Sequence, residues 1–531
     1  MSGPSPASAD GLNGPELGQT DGATVLRGGV WGLLVAVVPP LQTLLISIAA
    51  ARLLGAEDFG RQSFMAFISV SCVSVFAARV PAALSRFGAE LFGAGENGMV
   101  VGLLRWTVRV QVLSGLAAAV GFTAAAVFGA TPSGGWVLAG LATWVACVHA
   151  AASSFLVAAQ RWRDSLLPGL VTTIAAVIAA ISVLALGGGI TGYFAVEFAV
   201  AAVNLAWTTR YAARLRGQLG ETVPITSARR REFRSFMQAS TFFAVIEFVV
   251  LSRSEVVFLR HYSGATEVAL YSVAFAAAAA VGRVPAMVTN VALPAVATLH
   301  GAGEHDRIRW GYWRGTRLLI ALCPTLVAVA AGLGAALLGL VYGSEYHGAQ
   351  PVLAILLTPF ALLPVTGMAS ALLWIFGRMR FLVIWGVIGT IADLGLAFLL
   401  VPPWGAEGAA VVNVVAQLVV GVPSLVLVGR MLAPAELEPR FMVSSIVLAL
   451  LAGLATLVPI VLLDGFAEVV AAGAAAAVVL WLATGRLALL SEEDTAWLTE
   501  AAGHRIGPLA PLLRRLGGPT RRGAADAVRG G

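Results

Sequence analysis

FLVIWGVIGTIADLGLAFLL, residues 381–400, is a twenty-residue apolar run with a single charge, Asp393, and with Arg378 and Arg380 just ahead of it. Twenty helical residues reach ~30 Å, the hydrocarbon thickness of a bilayer. The run is one of a series. The chain of 531 residues is 58% hydrophobic and only 12% charged, with a mean hydropathy of +0.87. Soluble chains carry about 25% charged residues. At half that fraction a chain of this length cannot cover its surface in water, which excludes a soluble multidomain enzyme and a nucleic-acid binder.

Fourteen apolar runs follow one another: 28–51, 63–83, 106–130, 134–158, 165–188, 190–209, 238–259, 267–298, 318–341, 350–376, 381–402, 406–429, 441–463 and 466–485. The run 267–298 contains Pro285 and Pro294 and is expected to tilt or break, and Pro39-Pro40 predicts a kink in the first helix. Residues 1–27 are rich in Gly, Ser, Pro and Asp, lack the basic and apolar regions of a signal peptide, and read as a disordered tail; 491–531 is a polar, arginine-bearing tail.

Arginine placement tests the count. All 34 basic residues are Arg, which points to a GC-rich coding bias. With the N-terminus inside, 28 of them fall on the tails and inner loops, three (Arg52, Arg61, Arg260) on outer loops and three (Arg79, Arg253, Arg283) within spans. A miscounted helix would invert the alternation downstream of it, and none inverts. Fourteen spans with both termini cytoplasmic follow.

The chain also repeats. Arg79-Val80-Pro81-Ala82, Gly93-Ala94-Gly95-Glu96, Gly55-Ala56 and the pair Arg161/Arg163 recur at Arg283, Gly301, Gly264 and Arg378, that is 204, 208, 209 and 217 residues further on and in the same order. Such an offset covers six helices, so the halves share one orientation. The predicted architecture is two parallel six-helix lobes, 28–209 and 238–430, joined by a cytoplasmic amphipathic linker at 210–237 and followed by two extra helices within 431–490. Paired lobes of this kind place a binding site between them.

No Gly-rich phosphate loop with a following Lys, no HExxH and no CxxC occurs. Nucleotide-driven pumping is excluded. Cys72, Cys147 and Cys323 are not spaced as metal pairs, and neither metal nor cofactor is implied. Outer loops of about 3–11 residues leave no room for a catalytic domain, so the chain reads as a non-enzyme.

Ionisable residues inside spans are costly in hydrocarbon and default to function. Arg79 and Arg283 occupy equivalent places in the repeat and are expected to face a central vestibule. Their guanidinium forks suit a phosphate head group. The competing reading is an ion pair with a carboxylate, or snorkelling to the inner interface. Glu247, Arg253 and Glu255 share one run at spacings of six and two, which puts neither carboxylate on the arginine's helical face, so their partners must come from other helices or water. Asp393, mid-span and without an arginine within a turn on its own helix, is the first candidate for ion coupling, and Glu247 the second. Arg253, Glu255 and Glu197 are further candidate cavity charges.

Several stretches carry a resemblance. LLGAEDFG (53–60), EVALYSVAF (267–275), GRVPAMVTNVALPAVATL (282–299), VYGSEYHGAQPVLAIL (341–356) and LLVPPWGAEGAAVVNVVAQ (399–417) resemble, in order, motifs of the polysaccharide transporter family in the multidrug/oligosaccharidyl-lipid/polysaccharide exporter superfamily. The resemblance implies a V-shaped two-lobed fold. It implies alternating access that moves undecaprenyl-pyrophosphate-linked saccharides from the inner to the outer leaflet of a bacterial plasma membrane. The partners implied are the lipid-linked oligosaccharide, membrane lipid, and the glycosyltransferases and polymerase of the same pathway. The lipid II flippase branch is similar too. It carries cavity arginines in the settings of Arg79 and Arg283, and its extra helices cradle the lipid tail, but several of its other cavity arginines have no clear counterpart here. The rival readings are a multidrug or metabolite antiporter of the same fold, favoured by an apolar, carboxylate-lined cavity and disfavoured by an arginine-lined one, and a non-transporting scaffold of a polysaccharide assembly complex.

Overall fold

Two glycines turn very long helices into pairs of spans. The computed structural model describes residues 22–487 apart from 78, 225, 228, 235, 238–240, 242–245, 247–252, 435–438 and 464. Among these residues no strand occurs, and the elements in order are α1 (Gly22–Cys72), α2 (Arg79–Gly93), α3 (Asn97–Val127), α4 (Ser133–Ala158), α5 (Trp162–Ala185), α6 (Gly189–Gly217), α7 (Glu255–Tyr262), α8 (Ala265–Gly301), α9 (His305–Tyr342), α10 (Ala349–Leu357), α11 (Leu363–Ile375), α12 (Met379–Met431), α13 (Pro439–Leu462) and α14 (Phe466–Leu487).

Nine stretches among the described residues are helical, long and apolar enough to cross a membrane. Two of them, Leu41–Gly93 and Met379–Met431, have 53 residues each. That is about 80 Å of helix against a bilayer core of about 30 Å. Each is interrupted by a glycine that leaves helical geometry, Gly55 (φ 77°, ψ 167°) in α1 and Gly405 (φ 50°, ψ −129°) in α12. Only a residue without Cβ adopts such angles at little cost. Counting each stretch as two spans, and the pair α10–α11 with its 44° bend as one more, leads to twelve. The run expected at 238–259 falls largely outside the described residues.

Prolines do not end the helices that contain them. The α1 backbone is helical across Pro39-Pro40, and α8 is continuous through Pro285 and Pro294. A proline inside a membrane helix costs one backbone hydrogen bond, which neighbouring helices and local adjustment make tolerable. The helix ending the first six runs also outlasts its apolar stretch: α6 continues to Gly217 and carries Arg210, Arg214 and Arg216 on exposed turns.

The chain divides into two compact units, 1–54 with 65–245, and 55–64 with 246–531. In the first, glycines let α3 and α4 approach closely: a Cβ on Gly140 would lie 2.7 Å from the Phe122 Cβ, and one on Gly115 2.8 Å from Trp144. Small residues at helix crossings are what packing in lipid demands, because no hydrophobic gain separates tail from side chain there. The arginine-rich segment after α6 packs on the same unit. Phe233 is buried and meets Phe87 and Trp106 edge-on at 5.6 and 5.1 Å, Arg86 lies 4.8 Å over Phe236, and the Val223 N–H donates to the Gly98 carbonyl at 3.0 Å.

In the second unit α13 lies against α9 through small residues, with a Cβ on Gly332 only 1.9 Å from the Thr456 hydroxyl. The Trp313 indole N–H donates to the Leu432 carbonyl at 2.9 Å. The segment 55–64 belongs here as well: Phe59 is 2% exposed and meets Tyr346 edge-on at 6.1 Å. Large apolar side chains point outward in both units, among them Ile178 (63%), Leu399 (68%) and Leu450 (59%). In water that surface would drive aggregation; in lipid it costs nothing.

Candidate functional site

Two charged residues of the seventh apolar run, Arg253 and Glu255, gain partners from other helices. Ser254 and Glu255 lie where the chain turns into α7, and Glu255 is the first residue of that helix. Asp393 lies in the first half of α12, and Asn413 and Gln417, four residues apart on one face, lie in its second half. Gly405 separates the halves, and both reach the start of α7. The Ser254 hydroxyl donates to Asp393 Oδ2 at 2.6 Å, and the Asn413 amide donates to Glu255 Oε1 at 3.0 Å. From α8 the Tyr271 hydroxyl donates to Glu255 Oε2 at 3.1 Å, and the Gln417 amide donates to Asn413 Oδ1 at 2.6 Å.

The cluster is dry. Glu255, Asp393 and Tyr271 have no exposed surface, and Asn413 has 1%. The two carboxyl groups are close enough to interact electrostatically. Arg253, in the turn before α7, holds its guanidinium 5.3 Å over the Phe275 ring and within electrostatic range of Glu255 and Tyr271. Two carboxylates beside one guanidinium leave one negative charge in an apolar interior, at a cost of several kcal/mol unless it is neutralised. Asp393 Oδ1 and Gln417 Oε1 are buried without a hydrogen-bond partner. The carboxylate oxygen can take up a proton, and both oxygens can ligate a hard cation. Among the described residues no three His, Cys, Asp or Glu side chains come together in a metal-ion group.

Glu267 has a mechanical role. Its carboxylate accepts the Ala406 N–H at 2.8 Å, capping the second half of α12 directly after the Gly405 break. That contact holds the half-helix carrying Asn413 and Gln417.

Glu197 sits elsewhere, in the first unit. Tyr193, one turn earlier on α6, donates to it at 3.2 Å. Its carboxylate borders a cavity of about 310 Å³ walled by α1, α4, α5 and α6. Arg79 opens α2 and Arg283 lies inside α8, but their side chains are outside the described residues, and Glu247 is outside them altogether.

Asp393 and Glu255, two separate candidates in the sequence, are thus brought together. Tyr271, Asn413, Gln417, Ser254 and His149 were missed. The available signal was polar residues inside apolar runs: Asn413 and Gln417 at helical spacing in 406–429, and His149 in 134–158.

No protein-family profile matches the chain, and no curated protein does. Solved structures do. The chain is similar to the lipid II flippase MurJ in an inward closed conformation, with a TM-score of 0.67 and 11% identity over 87% of this chain and 98% of that one. It is similar to an inward-facing multidrug resistance MATE family transporter of the MOP superfamily, with a TM-score of 0.57 and 15% identity over 74% of this chain and 93% of that one. A MOP superfamily transporter from Pyrococcus furiosus, reported with a binding pocket of reversed polarity, matches with a TM-score of 0.54 and 15% identity over 77% and 95%. At these identities the likeness is one of fold: a multi-pass, all-helical membrane protein with the fold of the MurJ and MATE transporters.

Proposed function

We propose that the chain is a flippase that carries an undecaprenyl-(pyro)phosphate-linked oligosaccharide from the inner to the outer leaflet of a bacterial plasma membrane. It works by alternating access and supplies the synthesis of a cell-surface polysaccharide. The observation that carries the reading is the extent of the likeness to a lipid flippase: 87% of the chain, against 74% and 78% for two multidrug transporters. The in-span arginines Arg79 and Arg283 support an anionic head group. Glycosyltransferases and a polymerase of the pathway are the expected protein partners.

The buried pair Glu255–Asp393 is proposed as the coupling site, with Glu247 as a further carboxylate. No nucleotide motif is present in the sequence, so transport follows an ion gradient, the membrane potential or substrate supply. The test uses vesicles holding the purified chain and a fluorescent lipid-linked saccharide, with outward flipping read by access of an external quencher. Flipping is expected to accelerate under an imposed proton or sodium gradient. Asp393→Asn and Glu255→Gln keep shape and remove titration, and are expected to abolish that response while substrate still binds. An unchanged response in these two and in Glu247→Gln would leave the potential acting on the arginine-bound anion as the drive. Export of an organic cation with no flipping would move the reading to a multidrug exporter.

Orientation is proposed from the 28 inner arginines. In intact cells, single cysteines at Ser263 or Ser344, on a background lacking the native three, are expected to react with an impermeant maleimide, and one at Ser227 is not. Labelling at Ser227 would overturn the fourteen-span topology.

A further inference from the structure

The cavity of the first unit is built unlike the cluster of the second. In the cluster the polar side chains bond mainly to one another. In the first unit, about 310 Å³ stands open among polar side chains. That is roughly ten times the volume share of one water, and within the ~300–1,000 Å³ range of small-molecule sites. A bare cation needs only its first shell of ligands, so the space is far larger than one ion uses.

The wall chemistry narrows the ligand. Glu197 offers carboxylate oxygens, Gln42 and Asn204 each offer an amide donor and acceptor, and His149, Ser153 and Ser165 add groups of both kinds. These side chains are already set in place. The Ser153 and Ser165 hydroxyls are 2.8 Å apart, His149 Nε2 is 3.3 Å from the Thr208 hydroxyl, and Tyr193 steadies Glu197. Between them, Leu166, Leu170 and Val200 supply an aliphatic wall. Among the described residues no arginine lines the space, and the Glu197 carboxylate disfavours an anion there. Amides, hydroxyls and a carboxylate facing an aliphatic wall match a neutral ring with hydroxyls on its edge and C–H bonds on its face.

We propose that this cavity is a saccharide subsite, taking one sugar ring of the transported molecule while the phosphates are held elsewhere. The proposal rests on the flippase reading, and its test is separable from it. Gly169 provides the means: it lies on the cavity wall, within α5, and a Cβ added there would meet only the Asn204 amide nitrogen, at 4.0 Å. A leucine at that position fills the space while favouring the helix.

The experiment is saturation-transfer NMR on the full chain in lipid nanodiscs, with free glucose, galactose, mannose, rhamnose and N-acetylglucosamine at millimolar concentration. At least one of these sugars is expected to receive saturation from the wild type. Glu197→Gln is expected to weaken its binding by about tenfold, the size of one lost charge-assisted hydrogen bond. Gly169→Leu is expected to abolish transfer while melting at the wild-type temperature. Asn204→Leu blocks the cavity from the opposite wall and replaces Gly169→Leu should that variant not fold.

Absence of transfer from every sugar, or transfer that persists in both blocked variants, overturns the subsite. A cavity that answers to sodium or to an organic cation and to no sugar is an ion or drug site, which also overturns it. Flipping by the wild type without sugar binding discards the subsite and keeps the flippase. Sugar binding without flipping keeps the subsite and discards the flippase.

Discussion

Valine at position 60 is expected to leave little folded protein. Gly60 lies in the segment 55–64, which packs within the second unit, and a Cβ added to it would fall 1.8 Å from the Ala265 carbonyl oxygen. The obstacle is backbone at the start of α8, not the end of a flexible side chain. Both partners are buried, and Phe59 beside it is pinned edge-on to Tyr346 at 6.1 Å. Relief requires the two backbones to part, which breaks that contact as well. Overpacking of this severity costs about 3 kcal/mol or more, so Gly60→Ala is expected to lower the melting temperature clearly and Gly60→Val to abolish monodisperse protein in detergent. Gly121→Ala is the control. It lies in α3 with nothing within 4 Å of the added Cβ, and alanine there is expected to stabilise by up to about 1 kcal/mol. Size-exclusion profiles and melting curves of the three variants decide the matter. A wild-type melting temperature in Gly60→Val would refute the close approach.

Arg283→Ala is expected to slow flipping of the fluorescent lipid-linked saccharide by about 10- to 100-fold, the loss of a charge-assisted contact of ~1.5–3 kcal/mol. Abundance in the membrane is expected to be unchanged. In cells, the same variant stops surface polysaccharide from appearing. Arg283→Lys restores part of the rate, because a point charge replaces a bidentate fork. Full activity in the alanine variant refutes the phosphate contact. A fall in abundance assigns Arg283 to a structural ion pair instead.

The sequence by itself determined the solvent of this protein and the type of its elements. Transfer of a side chain from water to hydrocarbon is a property of each residue, summed over twenty neighbours, so 381–400 declares a span whatever surrounds it. In-span charges were legible for the same reason, since Asp393, Glu255 and Glu197 stand out against apolar runs. Which of them meet was not legible. Ser254 bonds Asp393 across 139 residues, and Asn413 bonds Glu255 across 158. Those separations obey no helical period and depend on how Gly405 breaks α12 and how Glu267 caps the restart. Where a helix breaks was not legible from its prolines. The helices run on through Pro39-Pro40 and Pro285, whereas the interruption in α1 came at Gly55, where a glycine adopts angles closed to other residues. Tertiary structure alone decided that 55–64 packs with the second unit and that four helices leave a polar cavity beside Glu197. Close packing is a property of surfaces brought together in three dimensions, and hydropathy along the chain carries no record of which surfaces those are.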